Sequence, residues 1–307
     1  MHKILKIASR NSQLALWQAN YIKELIEKHN PEIKVEILEF VTQGDKNLQD
    51  SLANIGGKGL FIKELEVALL NGKADLAVHS MKDMPFQINN SFELITCGER
   101  YSPFDGFLSI NYSSIDELPL HAIIGTSSPR RAAQILHYRK DLIIKPLRGN
   151  VNTRIKKLEN NEYAAIILAK AGIDRLNLNQ YFKSTIPLNI MLPAVGQGAL
   201  GIEFTKENAS YIKSILDQII DFNQNLVIQA EREFNNCLSG SCNSAIGVFS
   251  EVNIKNGIRL LNLKGYAGSL DGKVSLREEY EDKIENALEI GQKLAQKLID
   301  KGAKKLL

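Results

Sequence analysis

Residues 122–137 read AIIGTSSPRRAAQILH and predict a strand followed at once by a helix. The apolar run Ala122–Gly125 is typical of a short buried strand, and proline at position 129 suits the first turn of a helix that continues to His137. Residues 7–12, IASRNS, repeat the order of strand end, small hydroxyl residues, arginine and helix start. This echo indicates two similar α/β domains.

Strands and helices alternate through most of the N-terminal two thirds of the chain. Further strands are predicted at Ile4–Ser9, Val35–Val41, Ala74–His79, Leu142–Pro146 and Tyr163–Ala169. Helices are predicted after a cap at Asn11 or Ser12, with Leu14, Trp17, Tyr21 and Leu25 along one face, and at Gly59–Leu70 and Asn152–Leu158. This alternation predicts α/β architecture with largely parallel sheets.

The pattern changes from Asn223 onward. A helix through Asn236 is followed by the polar loop SGSCNS at residues 239–244 and then by successive strands. Those strands are predicted near Ala245–Ser250, Ile258–Lys264 and Lys273–Tyr280. An amphipathic helix over Asp282–Asp300 completes a small α+β domain.

Composition excludes several classes of protein. The 307 residues are 44% hydrophobic and 24% charged, which is ordinary for a globular chain and excludes a disordered one. The longest apolar runs, such as residues 164–169, are too short to span a bilayer. The N-terminus lacks the apolar segment of a signal peptide, and three cysteines do not make a disulfide framework, so we expect a cytoplasmic protein.

Basic residues are concentrated between Ser128 and Lys157, where nine Lys or Arg accompany one acid, Asp141. An anionic partner is therefore expected. Guanidinium groups suit carboxylates, whereas only Tyr138 in this stretch offers a ring for base stacking, so the pattern favours a small polyanion over nucleic acid.

The chemistry-bearing residues follow strand ends, where open α/β sheets bind ligands. Arg10 follows the first strand, Lys82 and Asp83 follow Ala74–His79, and Arg148 follows Leu142–Pro146. Two facing domains would bring these positions to one cleft. Asp83, beside Met84-Pro85, is either an ordinary turn aspartate or a carboxylate that stabilises a developing cation in a basic cleft.

The three cysteines differ in their sequence surroundings. Cys97 lies in an apolar strand and Cys237 extends the apolar face of a helix, so both are expected in the core. Cys242 stands among small polar residues that leave its thiol accessible, so it is either an ordinary loop cysteine or a thiol that serves as a nucleophile or an attachment point. No cysteine or histidine spacing indicates a metal site. The run Gly56–Gly59 lacks the Walker spacing and indicates a hinge or lid instead.

A series of blocks along nearly the whole chain resembles the porphobilinogen deaminase (hydroxymethylbilane synthase) family of tetrapyrrole biosynthesis. The blocks are IASR at 7–10, LALWQA at 14–19, GGKGLF at 56–61, AVHSMKDMP at 77–85, GTSSPRR at 125–131, LRGNV at 147–151 with Thr153 and Arg154, and LPAVGQGA at 192–199.

The resemblance implies three domains and a monomer. Two domains similar to type 2 periplasmic binding proteins would flank a cleft. The first domain would comprise residues 1–98 and 199–216, and the second would comprise residues 104–192. A small α+β domain at residues 221–307 would carry a dipyrromethane cofactor as a thioether on Cys242. The implied reaction condenses four porphobilinogen molecules head to tail, with loss of ammonia, and then hydrolyses the chain to release 1-hydroxymethylbilane.

The resemblance also implies residue roles. Asp83 would hydrogen-bond pyrrole N–H groups and stabilise the azafulvenium cation formed as ammonia leaves. The cofactor would be held by Lys82, Thr126, Ser127, Ser128, Arg130 and Arg131. The incoming substrate and growing chain would be bound by Arg10, Ser12, Gln18, Arg148, Arg154 and Arg175. Each porphobilinogen brings an acetate and a propionate, which accounts for the many arginines.

Two positions depart from the family pattern. Ser241 precedes Cys242 where glycine is usual, and Gln43 stands where arginine is commoner. Two other interpretations remain open from the residues. A non-enzymatic two-domain binder of a small polyanion would not need Cys242, and a nucleic-acid-binding protein would show steep salt dependence without a covalent chromophore.

Overall fold

The alternating pattern of the sequence becomes three sheets with helices packed on them. The computed structural model describes residues 3–46, 61–240 and 244–307. The strands are β1 (Lys3–Arg10), β2 (Ile33–Phe40), β3 (Leu76–Ser80), β4 (Phe92–Thr96), β5 (Asp105–Leu108), β6 (Ile123–Gly125), β7 (Ile143–Lys145), β8 (Ala165–Ala169), β9 (Phe182–Thr185), β10 (Leu200–Thr205), β11 (Ala245–Lys255), β12 (Ile258–Gly268) and β13 (Ser275–Lys283). The helices are α1 (Gln13–His29), α2 (Gln43–Lys46), α3 (Lys63–Leu70), α4 (Pro129–Tyr138), α5 (Val151–Glu159), α6 (Lys170–Arg175), α7 (Ala209–Leu216), α8 (Phe222–Cys237) and α9 (Ala287–Asp300).

The first sheet has the strand order β2-β1-β3-β10-β4. β1 is parallel to β2 and to β3, with Arg10 opposite Phe40 at the end of the β1–β2 ladder. β10 is antiparallel to both β3 and β4, so a segment from far along the chain enters the sheet next to β3. This arrangement brings the carboxyl ends of β1, β2 and β3 to one edge.

The second sheet repeats that plan with the order β7-β6-β8-β5-β9. β6 is parallel to β7 and β8, while β5 is antiparallel to β8 and β9 and takes the place that β10 has in the first sheet. Because both sheets share one order and one set of directions, the prediction of two similar α/β domains is confirmed.

The third sheet is the antiparallel meander β11-β12-β13. Asn256 and Gly257 join β11 to β12 with φ of 52° and 77°, a turn that asparagine and glycine adopt readily. Helices α8 and α9 pack closely, since a Cβ on Gly291 would lie 2.5 Å from the Ala230 carbonyl oxygen. The predicted small α+β part at the C-terminus is confirmed.

The chain forms two compact units. The first unit comprises residues 1–101 and 199–225 and holds the first sheet. The second unit comprises residues 102–198 and 226–307 and holds the second and third sheets. The three-domain boundaries given above remain a prediction.

The face of α1 that packs on the sheet differs from the predicted one. The buried residues are Ala15, Gln18, Ala19, Ile22 and Ile26. Four of them are small or β-branched, and Gln18 is buried with its amide bonded to the Ser80 hydroxyl. The predicted stripe is half-buried, with Tyr21 and Leu25 packed against the core of the first unit, and its two aromatic residues also contact each other. Trp17 and Tyr21 stack with ring centroids 5.4 Å apart, and Tyr101 meets the Trp17 ring edge-on at 5.5 Å.

Within the three described ranges, no helix combines the length and the apolar character needed to cross a membrane.

Candidate functional site

In the first unit, predicted site residues lie at the carboxyl ends of β1 and β3. Arg10 is the last residue of β1, and its guanidinium carbon lies 4.2 Å from the centroid of the Phe61 ring. Ser12 caps α1 by accepting a hydrogen bond of 3.3 Å from the Ala15 N–H. Gln18 is buried, and its amide nitrogen donates to the Ser80 hydroxyl at 2.8 Å. This bond connects α1 to the end of β3.

Lys82 and Asp83 occupy a 3-10 turn, Met81–Asp83, directly after β3. The Met81 N–H donates to the Ala199 carbonyl at 3.0 Å, and the Met84 N–H donates to the Met81 carbonyl at 3.1 Å. Met81 and Met84 are both buried, whereas the Asp83 side chain is exposed. The two buried methionines therefore anchor the turn in the core, and the Asp83 carboxylate faces solvent.

A buried ionisable pair lies immediately before this turn. His79 of β3 and Glu203 of β10 meet at 3.1 Å between Nε2 and Oε2, and both side chains are nearly inaccessible. Burial, and then the charge of Glu203, raises the pKa of the neighbouring Glu66 carboxyl. This pair was not predicted from the sequence, although an acid inside the apolar run of β10 is a usable signal.

In the second unit, the predicted hydroxyl residues organise the loops that follow β6 and β7. Ser128 caps α4, and its N–H donates to the Thr126 hydroxyl at 3.1 Å. The Ser127 hydroxyl both donates to the Leu147 carbonyl and accepts from the Leu147 N–H, each at 3.0 Å. These bonds bring the predicted GTSSPRR and LRGNV blocks together at one edge of the second sheet.

Of the three further predicted arginines of this unit, Arg154 and Arg175 donate hydrogen bonds to backbone carbonyls. Arg148 is half-buried directly after Leu147. Arg154, on α5, donates from Nε to the Gly149 carbonyl at 2.8 Å, and Gly149 has φ of 105°. Arg175 ends α6, is buried, and donates to the Gly198 carbonyl at 2.8 Å.

Asp105, which was not among the predicted site residues, joins the two arginines of α4. Arg130 Nη1 lies 2.6 Å from Asp105 Oδ2, and Arg131 Nη2 lies 2.7 Å from Oδ1. The side chains of Arg130, Arg131 and Asp105 are 5%, 8% and 0% exposed. The three groups together carry one net positive charge, which is the sign required for binding a carboxylate.

The protonation of Asp105 is controlled by these neighbours. Burial alone would raise the pKa of the Asp105 carboxyl, but the guanidiniums of Arg130 and Arg131 outweigh burial and hold that pKa well below its ordinary value. Asp105 is therefore ionised at any physiological pH.

We expect Asp105→Asn to lower the free energy of unfolding by about 3 kcal/mol at neutral pH, because it leaves two guanidiniums buried without their shared carboxylate. Since the pKa is depressed in the folded state, the stabilisation is complete above the unfolded value of about 4 and is lost as the pH falls toward the folded value. Urea unfolding measured from about pH 7 to pH 3 should thus show that the difference in free energy of unfolding between the parent protein and the variant becomes smaller in acid. The control is Asp141→Asn, which breaks the surface pair with Arg139 and should lower the free energy of unfolding by less. An equal loss in the control, or a loss in Asp105→Asn that does not change with pH, would contradict the role given to Asp105.

The two described cysteines are poor nucleophiles. Burial raises the pKa of the Cys97 thiol to about 12. Cys237 is half-buried, with its thiol donating to Glu233 Oε1 at 3.5 Å, and burial together with that carboxylate raises its pKa. Cys242 and Gly56–Gly59 lie outside the described residues. Gln43 is exposed and its backbone N–H donates to Glu64 Oε1 at 3.0 Å. No group of described residues has the composition of a metal site.

Comparison with known proteins covers the chain almost end to end. The family model described as "Porphobilinogen deaminase, dipyromethane cofactor binding domain" matches residues 5–213, and the model "Porphobilinogen deaminase, C-terminal domain" matches residues 225–300. The chain belongs to the porphobilinogen deaminase family. It is 47% identical over 307 residues to the porphobilinogen deaminase of Vesicomyosocius okutanii subsp. Calyptogena okutanii (strain HA), covering 100% of this chain and 99% of that one.

Solved structures similar to the chain include lipoprotein Tp32 from Treponema pallidum, with a TM-score of 0.46 and 11% identity over 71% of this chain and 90% of that one. Another is the VFT2 domain of Bordetella pertussis BvgS, with a TM-score of 0.43 and 14% identity over 71% of this chain and 86% of that one.

Membership of the porphobilinogen deaminase family makes this chain a transferase of porphyrin biosynthesis that uses a dipyrromethane cofactor. The residues present fit such a group. Dipyrromethane carries acetate and propionate side chains, and the buried Arg130–Asp105–Arg131 set supplies net positive charge beside the hydroxyls of Ser127 and Ser128. Fixed guanidiniums suit planar carboxylates better than a mobile ammonium does.

Proposed function

We propose that the chain performs the porphobilinogen deaminase reaction with Asp83 as its catalytic carboxylate. The observation that carries this proposal is the exposed Asp83 side chain on a turn whose flanking methionines are buried. When ammonia leaves the aminomethyl group of porphobilinogen, it takes the bonding electron pair, and positive charge develops on the pyrrole and its methylene carbon. A carboxylate on a fixed turn stabilises that charge and accepts pyrrole N–H hydrogen bonds.

Lys82 and the hydroxyl and arginine residues at the start of α4 hold the cofactor in this proposal. Its support is the buried Arg130–Asp105–Arg131 set, with Ser128 capping the same helix and Thr126 and Ser127 ordering the loop before it. When bound, dipyrromethane supplies the pyrrole carbon to which the first substrate is joined. The arginines keep its carboxylates from moving as that bond forms.

Substrate and product carboxylates are bound by the remaining cations. These are Arg10, Arg148, Arg154 and Arg175, with Ser12 and Gln18 in supporting positions. Each addition brings two carboxylates, so several arginines distributed over strand and helix ends are required. Ser12 and Gln18 are already engaged in α1 and with Ser80, and they act by holding the segments that bear Arg10 and Lys82.

Cys242 is the proposed attachment point of dipyrromethane through a thioether. The raised pKa values of the Cys97 and Cys237 thiols support this choice, because thiolate is the form that adds to an electrophilic methylene. We further propose a cytoplasmic monomer, for which the family resemblance is the support; light scattering of the purified protein tests the monomer.

The proposed function is tested by adding porphobilinogen to the purified full-length protein and measuring ammonia and the linear tetrapyrrole together. We expect four ammonia molecules for each tetrapyrrole released. A polyanion binder would bind porphobilinogen in calorimetry without ammonia release, and that result would overturn the enzymatic proposal.

A further inference from the structure

The side-chain amide of Gln134 makes four hydrogen bonds inside the second unit. It lies on α4, one turn after Arg130, and is 1% exposed. Its nitrogen donates to the carbonyls of Leu192 at 3.1 Å and Arg130 at 3.3 Å. Its oxygen accepts from the Leu192 N–H at 2.8 Å and from Arg277 Nη2 at 3.1 Å. A primary amide has two N–H donors and two acceptor lone pairs, so Gln134 is saturated.

Arg277 reaches this amide from the third sheet. It lies on β13 and also donates from Nη1 to the Leu188 carbonyl at 2.7 Å and from Nη2 to the Ile190 carbonyl at 3.0 Å. Its guanidinium carbon lies 5.7 Å from the centroid of the buried Tyr266 ring. Burial lowers the pKa of Arg277. One side chain of the C-terminal sheet therefore fixes the segment 188–192 and the Gln134 amide together.

The Leu192 carbonyl connects Gln134 to Arg130, the arginine proposed above to hold the cofactor. It accepts the Gln134 amide at 3.1 Å and Arg130 Nη1 at 2.7 Å, while the same Nη1 contacts Asp105 Oδ2 at 2.6 Å. The position of the Arg130 guanidinium is thus set by two acceptors, a carboxylate and a carbonyl. Gln134 binds that carbonyl directly, and Arg277 acts on it indirectly, by binding the Gln134 oxygen and the carbonyls of Leu188 and Ile190.

We propose that Gln134 and Arg277 are positioning residues for Arg130, through which the C-terminal sheet fixes the guanidinium that holds the dipyrromethane cofactor. This inference rests on the proposed function, in which Arg130 binds that cofactor. A long arginine side chain has considerable rotamer freedom, and a misplacement of about 1 Å at a binding group can reduce a rate by up to about a hundredfold. The LPAVGQGA block, to which Leu192 belongs, acquires a role that its sequence alone did not suggest.

The test compares Arg277→Met with Arg139→Met in the full-length protein. Arg139 also follows α4 closely and donates to the carbonyls of Ile115 and Leu118, both at 3.1 Å, but contacts neither Gln134 nor Leu192. We expect both substitutions to lower the melting temperature. Only Arg277→Met should lower the fraction of purified chains that carry a dipyrromethane adduct, measured by intact mass. Its kcat per loaded chain should fall about tenfold, with KM for porphobilinogen changed less than twofold.

Three further results decide the proposal. Gln134→Met should reproduce the Arg277→Met effect on adduct and kcat, and the double variant should lose no more than the larger single, because both residues act through one carbonyl. Arg277→Lys keeps the positive charge, and its adduct fraction and kcat should lie between those of the parent protein and Arg277→Met. It also provides a second test if Arg277→Met does not fold. An equal loss in Arg139→Met, or additive losses in the double variant, would overturn the positioning role. If the unsubstituted protein neither carries an adduct nor converts porphobilinogen, the proposed function fails instead.

Discussion

Asp83→Ala is expected to lower kcat for porphobilinogen by about a thousandfold while leaving the melting temperature of the protein almost unchanged. The reason for the first effect is electrostatic, since a fixed carboxylate next to a developing cation is among the largest single contributions that one side chain makes to a rate. The reason for the second is that the Asp83 side chain is exposed, whereas the turn is anchored by buried Met81 and Met84.

Two further substitutions at position 83 show whether activity depends on the negative charge of the side chain or on its size. Asp83→Asn keeps the size of the side chain and should be nearly as inactive as alanine, because the negative charge is gone. Asp83→Glu keeps the charge and should retain more activity. The matched control is Glu24→Gln, which removes an exposed carboxylate from α1 of the same unit and should leave kcat unchanged.

Dipyrromethane content separates a catalytic role for Asp83 from a cofactor-binding role. Kinetic measurements should be made per loaded chain, with the adduct measured by intact mass. A fall in kcat at equal loading is the expected result. Activity of Asp83→Asn close to that of the parent protein would remove Asp83 from the catalytic role.

The strand-end pattern of the sequence was sufficient to predict where the candidate site residues lie on the strands and turns. Arg10 ends β1, Lys82 and Asp83 follow β3, and the GTSSPRR block follows β6. These positions could be predicted because a short apolar run followed by hydroxyl or charged residues determines a strand end locally. The caps at Ser12 and Ser128 are local in the same sense, since each hydroxyl binds an N–H three residues further along.

The partners of those residues could not be predicted in the same way, because they come from distant parts of the chain. Asp105 lies 25 residues before Arg130 and reaches it only because β5 enters the second sheet antiparallel to β8. β5 and β10 were both missed, since an inserted antiparallel strand has no local signature that separates it from a parallel one. Arg277, 143 residues after Gln134, is an extreme case. An aspartate within the apolar segment FDGFL was the available signal for Asp105.

Cys242→Ser is expected to abolish the dipyrromethane adduct entirely, and with it turnover, while Cys237→Ser retains both. A serine hydroxyl is ionised far less readily than a thiol, so an attachment that requires thiolate addition to an electrophilic methylene fails. Burial of the Cys237 thiol, and then the Glu233 carboxylate beside it, raise its pKa and oppose thiolate formation. Both cysteines lie within a few residues of each other in the sequence, which makes Cys237→Ser the closest matched control.

Intact mass of the denatured protein, followed by peptide mapping, decides between the two cysteines. The parent protein and Cys237→Ser should both show an adduct of dipyrromethane size on the peptide that contains Cys242, and Cys242→Ser should show the mass of the bare chain even after incubation with porphobilinogen. Cys97→Ser provides a third comparison: Cys97 is fully buried and the pKa of its thiol is raised to about 12, so its loss should leave the adduct in place. An adduct that survives in Cys242→Ser and disappears in Cys237→Ser would reverse the assignment. The thiol beside Glu233 would then have to be activated by a rearrangement that separates it from that carboxylate.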